Sequence, residues 1–457
     1  MKADPRCGFG IAGKLLRVSL THVIAGRGPR TPVRSARERR NRHLLSRLFV
    51  MLCVVAAWPL GAIAQDLPVV APQSVGLSLD RLARVTQRIR DDINDGKTPG
   101  AVILVARHGK VAHFEALGAL DRQTGAPMVK DAVFRVASMT KPITIVGALT
   151  LIEEGRLRLN TPIAQVLPQF AHMRVGIENR NNDSLMLVPA ERPISVLDLM
   201  RHTSGLTYEI SGDTLIKKMY REAGIGNIGE SAEERVNKLA TLPLVYQPET
   251  VWEYGRSIDV LGRMIEVVSG TGLEEFLARR VLEPLGMKDT AFWVPPEKRD
   301  RIAALESAPP GTPLLRDITR PRTAEGGGTG LVSTAGDYAR FLQMLLNGGT
   351  LGGVRVLSRK TVEQMTTNQL DPSIKAEGVG YYPGPGYGYG LGFAVRLTEG
   401  LAAELGSLGD YHVEGHWNTF AFVDPKEDLV AVLMVQAVKW LDYRRTIKDL
   451  VLQSIVD

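Results

Sequence analysis

The sequence predicts a mixed α/β (α+β) fold, in which an antiparallel sheet built from both chain ends is flanked by helices and a mainly helical subdomain is inserted. Strand patterns open the body of the chain and return at its C-terminal end, whereas residues from about 155 to 320 are richer in helical periodicity and loops. A hydrophobic share of 44% over 457 residues is ample for the core of such a fold.

The first part of the body combines helical and strand patterns. Leu79–Asp95 repeats its apolar residues with helical periodicity. The apolar runs Ala101–Ala106 and Val111–Glu115 are separated by a turn at His108–Lys110, and together they predict a β-hairpin. Ile258–Ser269, in the inserted region, has the pattern of an amphipathic helix.

The C-terminal part returns to strands and closes with a helix. Strands are predicted over Leu391–Leu397, about Tyr411–Val423 and Leu429–Gln436, and a helix over Lys439–Val456. Gly380–Gly390, which carries four tyrosines, is predicted as the loop that enters the first of these strands and as a candidate lining of an acyl pocket. The strands are expected to join the N-terminal hairpin in one sheet.

Ser138 and Lys141 form the most informative chemical pattern. They lie three residues apart at a predicted helix start, so they share a helix face and the amine can reach the serine oxygen. Pro142 fits the first turn, whose amides have no intrahelical partner. The apolar run Ile143–Ile152 predicts a buried helix that stops at Gly155. The helix dipole and free N–H groups favour negative charge developing at the serine.

The Ser-x-x-Lys spacing is weak by itself, because about one match is expected by chance in a chain of this length. The alternative is a helix N-cap followed by a solvated lysine. A serine hydroxyl is a poor nucleophile until a neighbouring group takes its proton. A lysine can do so only where burial or another cation lowers its pKa. The surroundings of the pair must therefore decide.

Residues 1–64 have the pattern of a basic leader and signal peptide. They hold twelve Lys/Arg and two Asp/Glu, so the formal charge of +7 comes from this segment and the body is slightly acidic. A basic run precedes the apolar core Leu48–Ala57, and Ala62–Ala64 is a small-x-small cleavage site. We expect one domain over 65–457, exported to the periplasm or secreted. An uncleaved membrane anchor, or a start nearer Met51, is the alternative.

Composition argues against several classes of function. Both cysteines, Cys7 and Cys53, fall in the leader, so the body has no disulfide, thiol nucleophile or thiolate metal site. A slightly acidic body gives no reason to expect nucleic acid as a partner.

His412, Glu414 and His416 alternate, so they would share one strand face, where a metal site is the alternative to a purely structural strand. We expect neither a metal nor another cofactor.

Six blocks of the sequence occur in a characteristic order: Phe134–Lys141, Leu199–Leu206, Trp252–Gly270, Pro284–Thr290, Gly326–Thr334 and Phe422–Pro425. In this order they resemble the serine β-lactamase/penicillin-binding-protein superfamily, in particular its class C β-lactamase-like branch, which includes the family VIII carboxylesterases. The match runs from about Leu77 to the C-terminus. It implies a β-lactamase/transpeptidase-like fold.

The resemblance also implies roles for individual residues. Tyr254 would lie beside Ser138 and Lys141, pass the proton to the leaving group and activate the deacylating water. The alternative for Tyr254 is a core tyrosine with a satisfied hydroxyl. Alignment on the last block places Val413–Gly415 at the third motif. The oxyanion hole would then combine the backbone N–H groups of Ser138 and His416.

Two positions depart from the lactamase pattern. Relatives carry Lys-Thr-Gly, or Trp-Gly-Gly in esterases, where this chain has Val413-Glu414-Gly415. Arg256 stands where lactamases have the asparagine that holds the lactam side chain. Both changes argue against efficient β-lactam turnover. An acidic Glu414 should also disfavour substrates that carry a carboxylate at that place.

Two other hydrolytic arrangements have less support in the sequence. His202 and Ser204 suggest a catalytic pair, but their His-Thr-Ser-Gly block is expected to be a structural helix ending, as it is in the branch that this chain resembles. No Gly-x-Ser-x-Gly elbow occurs, which argues against an α/β-hydrolase.

We therefore expect an exported serine hydrolase that forms an acyl-enzyme on Ser138 and acts on carboxylic esters. β-Lactam or D-amino-acid amide hydrolysis on the same fold is the first alternative. A catalytically impaired envelope binding protein is the second, because Glu414 could block the acyl pocket or misplace the His416 N–H. The expected partner is a small-molecule ester or amide, with no stable membrane span once the signal is cleaved. The sequence specifies no oligomeric state.

Overall fold

The strands of this protein, in a computed structural model, come mainly from the two ends of its body. The structure describes residues 66–179, 184–210, 212–225, 229–305, 317–321, 326–375 and 383–457. The predicted leader, residues 1–64, lies outside these ranges. In the described ranges, no helix is both long and apolar enough to cross a membrane.

The strands of the described chain are between two and twelve residues long. They are β1 (Gly100–Arg107), β2 (Lys110–Asp121), β3 (Ala126–Pro127), β4 (Phe134–Arg135), β5 (Arg174–Asn179), β6 (Ser184–Pro189), β7 (Val332–Ser333), β8 (Thr350–Leu351), β9 (Val354–Arg355), β10 (Tyr387–Tyr389), β11 (Ala394–Arg396), β12 (Tyr411–Gly415), β13 (Thr419–Asp424) and β14 (Leu429–Val435).

The α-helices of the same ranges are α1 (Leu79–Asn94), α2 (Thr140–Glu153), α3 (Val196–Met200), α4 (Leu215–Glu222), α5 (Ala232–Thr241), α6 (Ser257–Ser269), α7 (Leu273–Leu277), α8 (Ala335–Leu346), α9 (Arg359–Met365) and α10 (Tyr443–Leu452). Short 3₁₀ segments cover Pro72–Val75, Ala137–Met139, Ile163–Gln165, Pro168–Phe170 and Pro296–Arg301, and a π-helical turn covers Ala278–Leu282.

One antiparallel sheet joins the two ends of the body, as predicted. Its strand order is β10-β11-β12-β13-β14-β1-β2-β3. The pairing of β1 with β14 closes it, in a register that runs from Ala101 opposite Val435 to Arg107 opposite Leu429. This pairing places residues next to each other that are far apart in the sequence. Neither end of the body can therefore form the whole sheet alone.

Helices cover both faces of this sheet. Alternate residues of β1 face opposite sides: Val102 and Leu104 join the apolar cluster that includes α2, α6 and α8, whereas Ile103 and Val105 join the cluster that includes α1 and α10. Because both faces of β1 are buried, its sequence is an almost unbroken apolar run. The result is a three-layer arrangement with the sheet in the middle.

The described part of the region between the two halves of the sheet holds most of the helices and two hairpins that the sequence did not predict, β5–β6 and the short β8–β9. β5 and β6 pair antiparallel, from Arg174 opposite Pro189 to Asn179 opposite Ser184. The predicted strand over about Tyr411–Val423 is in fact two strands, β12 and β13, joined by a turn. The predicted closing helix is shorter than expected and begins at Tyr443.

Candidate active site

Ser138 lies in a tight turn that leads directly into α2. The 3₁₀ turn Ala137–Met139 precedes the helix, which begins at Thr140. Ala137 has a left-handed backbone with φ +44°, a conformation that costs a non-glycine residue free energy and recurs at functional sites. Pro142 occupies the first turn of α2, as predicted. The chain therefore fixes the serine hydroxyl at a helix N-terminus.

The glycine-rich block that precedes α8 holds this nucleophile segment in place. β4 pairs with β7, with Phe134 opposite Ser333. The N–H of Val136 donates to the Leu331 carbonyl oxygen at 3.1 Å, and the N–H of Leu331 donates to Thr140 Oγ1 at 3.1 Å. These bonds explain why a Gly-Gly-Gly-Thr-Gly block so far along the chain belongs to the same site.

Lys141 directs its amine back towards the serine. Its Nζ lies 3.0 Å from Ser138 Oγ and donates at 2.9 Å to the carbonyl oxygen of Gly328. Burial lowers the pKa of Lys141 to about 7, with the Asp259 carboxylate opposing this shift and the Arg256 guanidinium adding to it. Near neutral pH a large fraction of the amine is therefore unprotonated and able to accept the serine proton.

Tyr254 completes the group that the sequence predicted. Its hydroxyl is hydrogen-bonded with Ser138, and the Lys141 Nζ lies 4.6 Å from its ring centroid. Burial raises the pKa of the Tyr254 phenol above its ordinary value, although the hydrogen bond with Ser138 acts against this shift. The phenol is therefore protonated at neutral pH and available as a proton donor.

The His-Thr-Ser-Gly block supports Tyr254. The buried ring of His202 lies 4.4 Å from the Tyr254 ring, centroid to centroid, and its Nδ1 accepts the N–H of Gly255 at 3.3 Å. The Ser204 hydroxyl is hydrogen-bonded with Ser257 Oγ at 2.9 Å. These contacts agree with the structural interpretation of the block.

β12 brings the third motif against the nucleophile segment. A Cβ added to Gly415 would lie 2.5 Å from the Val136 carbonyl oxygen and would also overlap the Thr419 hydroxyl. Only a glycine lets the end of the strand approach this closely. His416 follows in the turn, so its backbone N–H is close in sequence to the point of contact. The role of this N–H in an oxyanion hole stays a prediction.

Glu414 is buried and paired with the C-terminal helix. Its carboxylate lies 3.5 Å from Arg444 Nε. Burial raises the pKa of Glu414 to about 7, while the Arg444 guanidinium lowers it. Near neutral pH the carboxyl is thus partly protonated. This weakens the predicted exclusion of substrates with a carboxylate, which assumed a full negative charge.

The predicted alternation of His412, Glu414 and His416 on one strand face is only partly correct. β12 ends at Gly415, and His416 is exposed in the following turn. His412 is fully buried, with its ring against Tyr387 at 5.0 Å between centroids. Within the ranges that the structure describes, no group of three or more His, Cys, Asp or Glu side chains is arranged to hold a metal ion.

Arg256 is engaged by carboxylates of the protein. Its side chain is buried, its Nε lies 3.2 Å from Glu209 Oε2 and its guanidinium lies 3.4 Å from Asp259. The Tyr208 ring centroid lies 5.0 Å from the guanidinium carbon. A contact between Arg256 and substrate, in place of the lactamase asparagine, stays a prediction.

A small pocket opens beside Lys141 and Tyr254. It is lined by Lys141, Tyr254, Tyr389, Gly392, Ala394, His412, Val413 and Glu414. Tyr389 therefore borders the pocket, as the tyrosine-rich segment suggested. Residues 381–382 of that segment lie outside the described ranges, and the Tyr387 hydroxyl accepts hydrogen bonds from buried cations instead.

Three participants were missed from the sequence: the Gly328 carbonyl that holds Lys141, the His202 ring behind Tyr254 and the Arg444 partner of Glu414. Every residue type has a backbone carbonyl, so the sequence cannot show which carbonyl binds Lys141. Only the glycine-rich block pointed to the neighbourhood of Gly328. Arg444 is one of two adjacent arginines in the closing helix. Only its position beside Glu414 in the folded chain distinguishes it from Arg445.

A three-layer fold with a serine, a lysine and a tyrosine gathered at one helix N-terminus defines a class of serine hydrolases and acyl-transferring enzymes. The family model described as "Beta-lactamase" matches residues 85–454. The chain therefore belongs to the beta-lactamase family, within the serine β-lactamase/penicillin-binding-protein superfamily that its motifs predicted.

Relatives and solved structures agree with this assignment. Protein Rv1367c of Mycobacterium tuberculosis (strain ATCC 25618 / H37Rv) is 35% identical over 361 residues, which cover 76% of this chain and 88% of the relative. Esterase EstB of Burkholderia gladioli is 29% identical over 297 residues, 60% of this chain and 72% of the relative. The structure of EstCE1, described as a hydrolase with promiscuous acyltransferase activity, has a TM-score of 0.67 at 26% identity and covers 81% of this chain and 98% of its own.

Proposed function

We propose that this protein is a carboxylesterase that works through a covalent acyl-enzyme on Ser138. The observation that carries the proposal is the 3.0 Å contact between the Lys141 amine and the Ser138 hydroxyl. Burial holds the pKa of that lysine at about 7, which suits a general base at neutral pH. The names of EstB, an esterase, and EstCE1, a hydrolase, support the same class of reaction.

The reaction follows from the positions of the three side chains. Ser138 Oγ attacks the ester carbonyl carbon while the Lys141 amine takes the hydroxyl proton. The C–O bond to the alcohol breaks, and the alcohol leaves with a proton supplied through Tyr254. Water then attacks the acyl carbon, gives its proton to the same relay, and the acid departs as the Ser138 hydroxyl is restored. The backbone N–H groups of Ser138 and His416 would stabilise the oxyanion.

Esters are favoured over β-lactams as substrates. The third motif has Val413-Glu414-Gly415 in place of Lys-Thr-Gly, and Arg256 is paired with Glu209 and Asp259. Neither position offers the groups with which lactamases hold a lactam. β-Lactam or D-amino-acid amide hydrolysis remains the alternative reaction, and a binding protein without turnover is the alternative of another class. We further propose that the enzyme acts after export, on the grounds of its leader alone.

A substrate panel on the purified protein, without its leader, tests the proposal. p-Nitrophenyl acetate and butyrate should be turned over with a burst, and nitrocefin more slowly than either ester. Ser138→Ala should lose turnover and labelling by a fluorophosphonate probe. Faster cleavage of nitrocefin would favour the lactamase alternative, and a folded protein that never labels would favour the binding protein.

A further inference from the structure

A buried cluster of charges lies behind Lys141 at the start of α6. Arg256 and Asp259 are one turn apart and 3.4 Å from each other, and both side chains are at most 3% exposed. Arg256 also pairs with Glu209, and Arg235 lies 3.9 Å from Asp259. Burying so many charges is costly unless each is paired. None of these charged side chains takes part in the proton transfers of the proposed reaction.

A chain of hydrogen bonds connects the cluster to the catalytic amine. Asp259 Oδ1 accepts the N–H of Gly328 at 3.3 Å, and the Gly328 carbonyl oxygen accepts the Lys141 amine at 2.9 Å. The Tyr208 ring lies between the two cations, 5.0 Å from the Arg256 guanidinium and 5.8 Å from the Lys141 Nζ. Asp259 thus fixes the residue that holds Lys141.

We propose that Asp259 and Arg256 are positioning residues for Lys141: Asp259 orients the Gly328 carbonyl that holds the amine, and the opposed charges of the pair balance the electrostatic field at that amine. This proposal rests on the proposed function, because it assigns the pair to the base of that reaction. This role requires no contact between either residue and the substrate.

The direction of each charge effect follows from its sign. The Asp259 carboxylate raises the pKa of Lys141 and the Arg256 guanidinium lowers it, both against a background in which burial dominates. The other polar groups near the amine are Tyr254, Tyr208 and His202 on the helical side, and Glu414 and His412 on β12. Of these, burial lowers the pKa of His202 and raises that of both tyrosines, so all three are neutral near pH 7.

The test is the pH dependence of Ser138 labelling by a fluorophosphonate, which reports the nucleophile without a chosen substrate. Asp259→Asn keeps an oxygen for the Gly328 N–H but removes the negative charge. The pH at which the labelling rate rises should therefore fall by about 0.5 to 1 unit. Arg256→Gln should move it to higher pH by about the same amount. Arg263→Gln, which removes a partly exposed arginine from the same helix, should leave it unmoved.

Two further variants keep the proposal falsifiable if a single change prevents folding. The double variant Arg256→Gln/Asp259→Asn removes the pair as a unit, so its profile should return close to that of the natural protein. Glu209 lies nearer the surface and also pairs with Arg256. Glu209→Gln removes this counter-charge, so it should shift the pH profile of labelling to lower pH, as Asp259→Asn should. Folded variants that label with an unshifted profile would overturn the proposed balance of charges at Lys141 and leave the esterase proposal standing. A natural protein that never labels would overturn the esterase proposal itself.

Discussion

The chemistry of this site depends on one lysine in an apolar environment. α2 is buried along nearly its whole length, and Lys141 is the one ionisable side chain among its buried residues. The four residues Ser138–Lys141 were enough to predict that the amine and the hydroxyl share a helix face. The lowered pKa was not, because it depends on how completely the helix and the Gly328 loop exclude water.

Burial of this lysine should reduce the stability of the fold. The pKa of Lys141 is about 7 in the folded protein, against 10.5 for an ordinary lysine. The free-energy cost of burying the charged amine is therefore complete below pH 7 and shrinks as the pH rises towards 10.5. Lys141→Met should therefore be more stable than the natural protein at pH 6, by up to about 5 kcal/mol. Urea denaturation from pH 6 to pH 9 should show this advantage narrowing. An advantage independent of pH would contradict the explanation.

Other features of the site are invisible at the level of single residues. His202 was expected to be structural, but nothing in the sequence showed that its ring backs Tyr254. The sequence alone suggests a negative charge at Glu414, whereas burial and the Arg444 guanidinium set the pKa of its carboxyl. In both cases the property belongs to an environment assembled from distant segments.

At the scale of elements, the site depends on how closely β12 approaches the start of α2. The order of the motifs along the chain predicts that the third motif reaches the nucleophile segment. The glycine at its third position has a steric reason, because a Cβ there would meet the Val136 carbonyl oxygen. The turn after Gly415 was missed, because the apolar and aromatic residues of His416–Phe420 continue the strand-like composition across it.

Gly415→Ala tests this close approach. The added Cβ would meet the Val136 carbonyl oxygen and the Thr419 hydroxyl, so β12 must move away from the nucleophile segment. We expect esterase activity to fall on the order of 10²-fold, the scale of one lost oxyanion donor.

The matched control is Gly400→Ala, where an added Cβ has no atom within 4 Å. This variant should retain its activity, because Gly400 lies in the loop between β11 and β12 and its surroundings are open. Equal activity in the two variants would show that the approach of β12 does not matter for catalysis.

At the scale of the whole molecule, a buried cluster ties the closing helix to the edge of the sheet. Asp410 accepts the Lys448 amine at 2.7 Å and the Arg396 Nε at 2.9 Å, and all three side chains are at most 1% exposed. α10 also carries Arg444, the partner of Glu414. The same helix therefore supports the sheet edge that forms one wall of the pocket.

Removing one charge from this cluster should be costly. Asp410→Asn leaves two buried cations without their counter-charge, and we expect a loss of about 3 kcal/mol in the free energy of unfolding. Asp428→Asn is the control, because Asp428 pairs with His108 at the surface with both side chains about half exposed. Chemical denaturation should separate the two variants clearly. A loss in Asp410→Asn no greater than that in Asp428→Asn would contradict this role.

The overall architecture was predictable because its signals are strong and local. The unbroken apolar run of β1, the hairpin turn and the C-terminal strands all have clear patterns, and the antiparallel sheet from both ends followed from them. The β5–β6 hairpin was missed because consecutive apolar residues at Leu185–Val188 hide the alternation of its second strand. Met186 of that strand is in fact 59% exposed.

The most direct test of the account is a search for acyl-Ser138 during turnover. The protein should be mixed with p-nitrophenyl butyrate, quenched in acid within the burst, and analysed by intact mass and peptide mapping, with Ser138→Ala treated in parallel. We expect one butyryl group on the peptide that contains Ser138, and none on the variant. Ester turnover with no acyl group on that serine, or with equal acylation of the variant, would contradict this expectation.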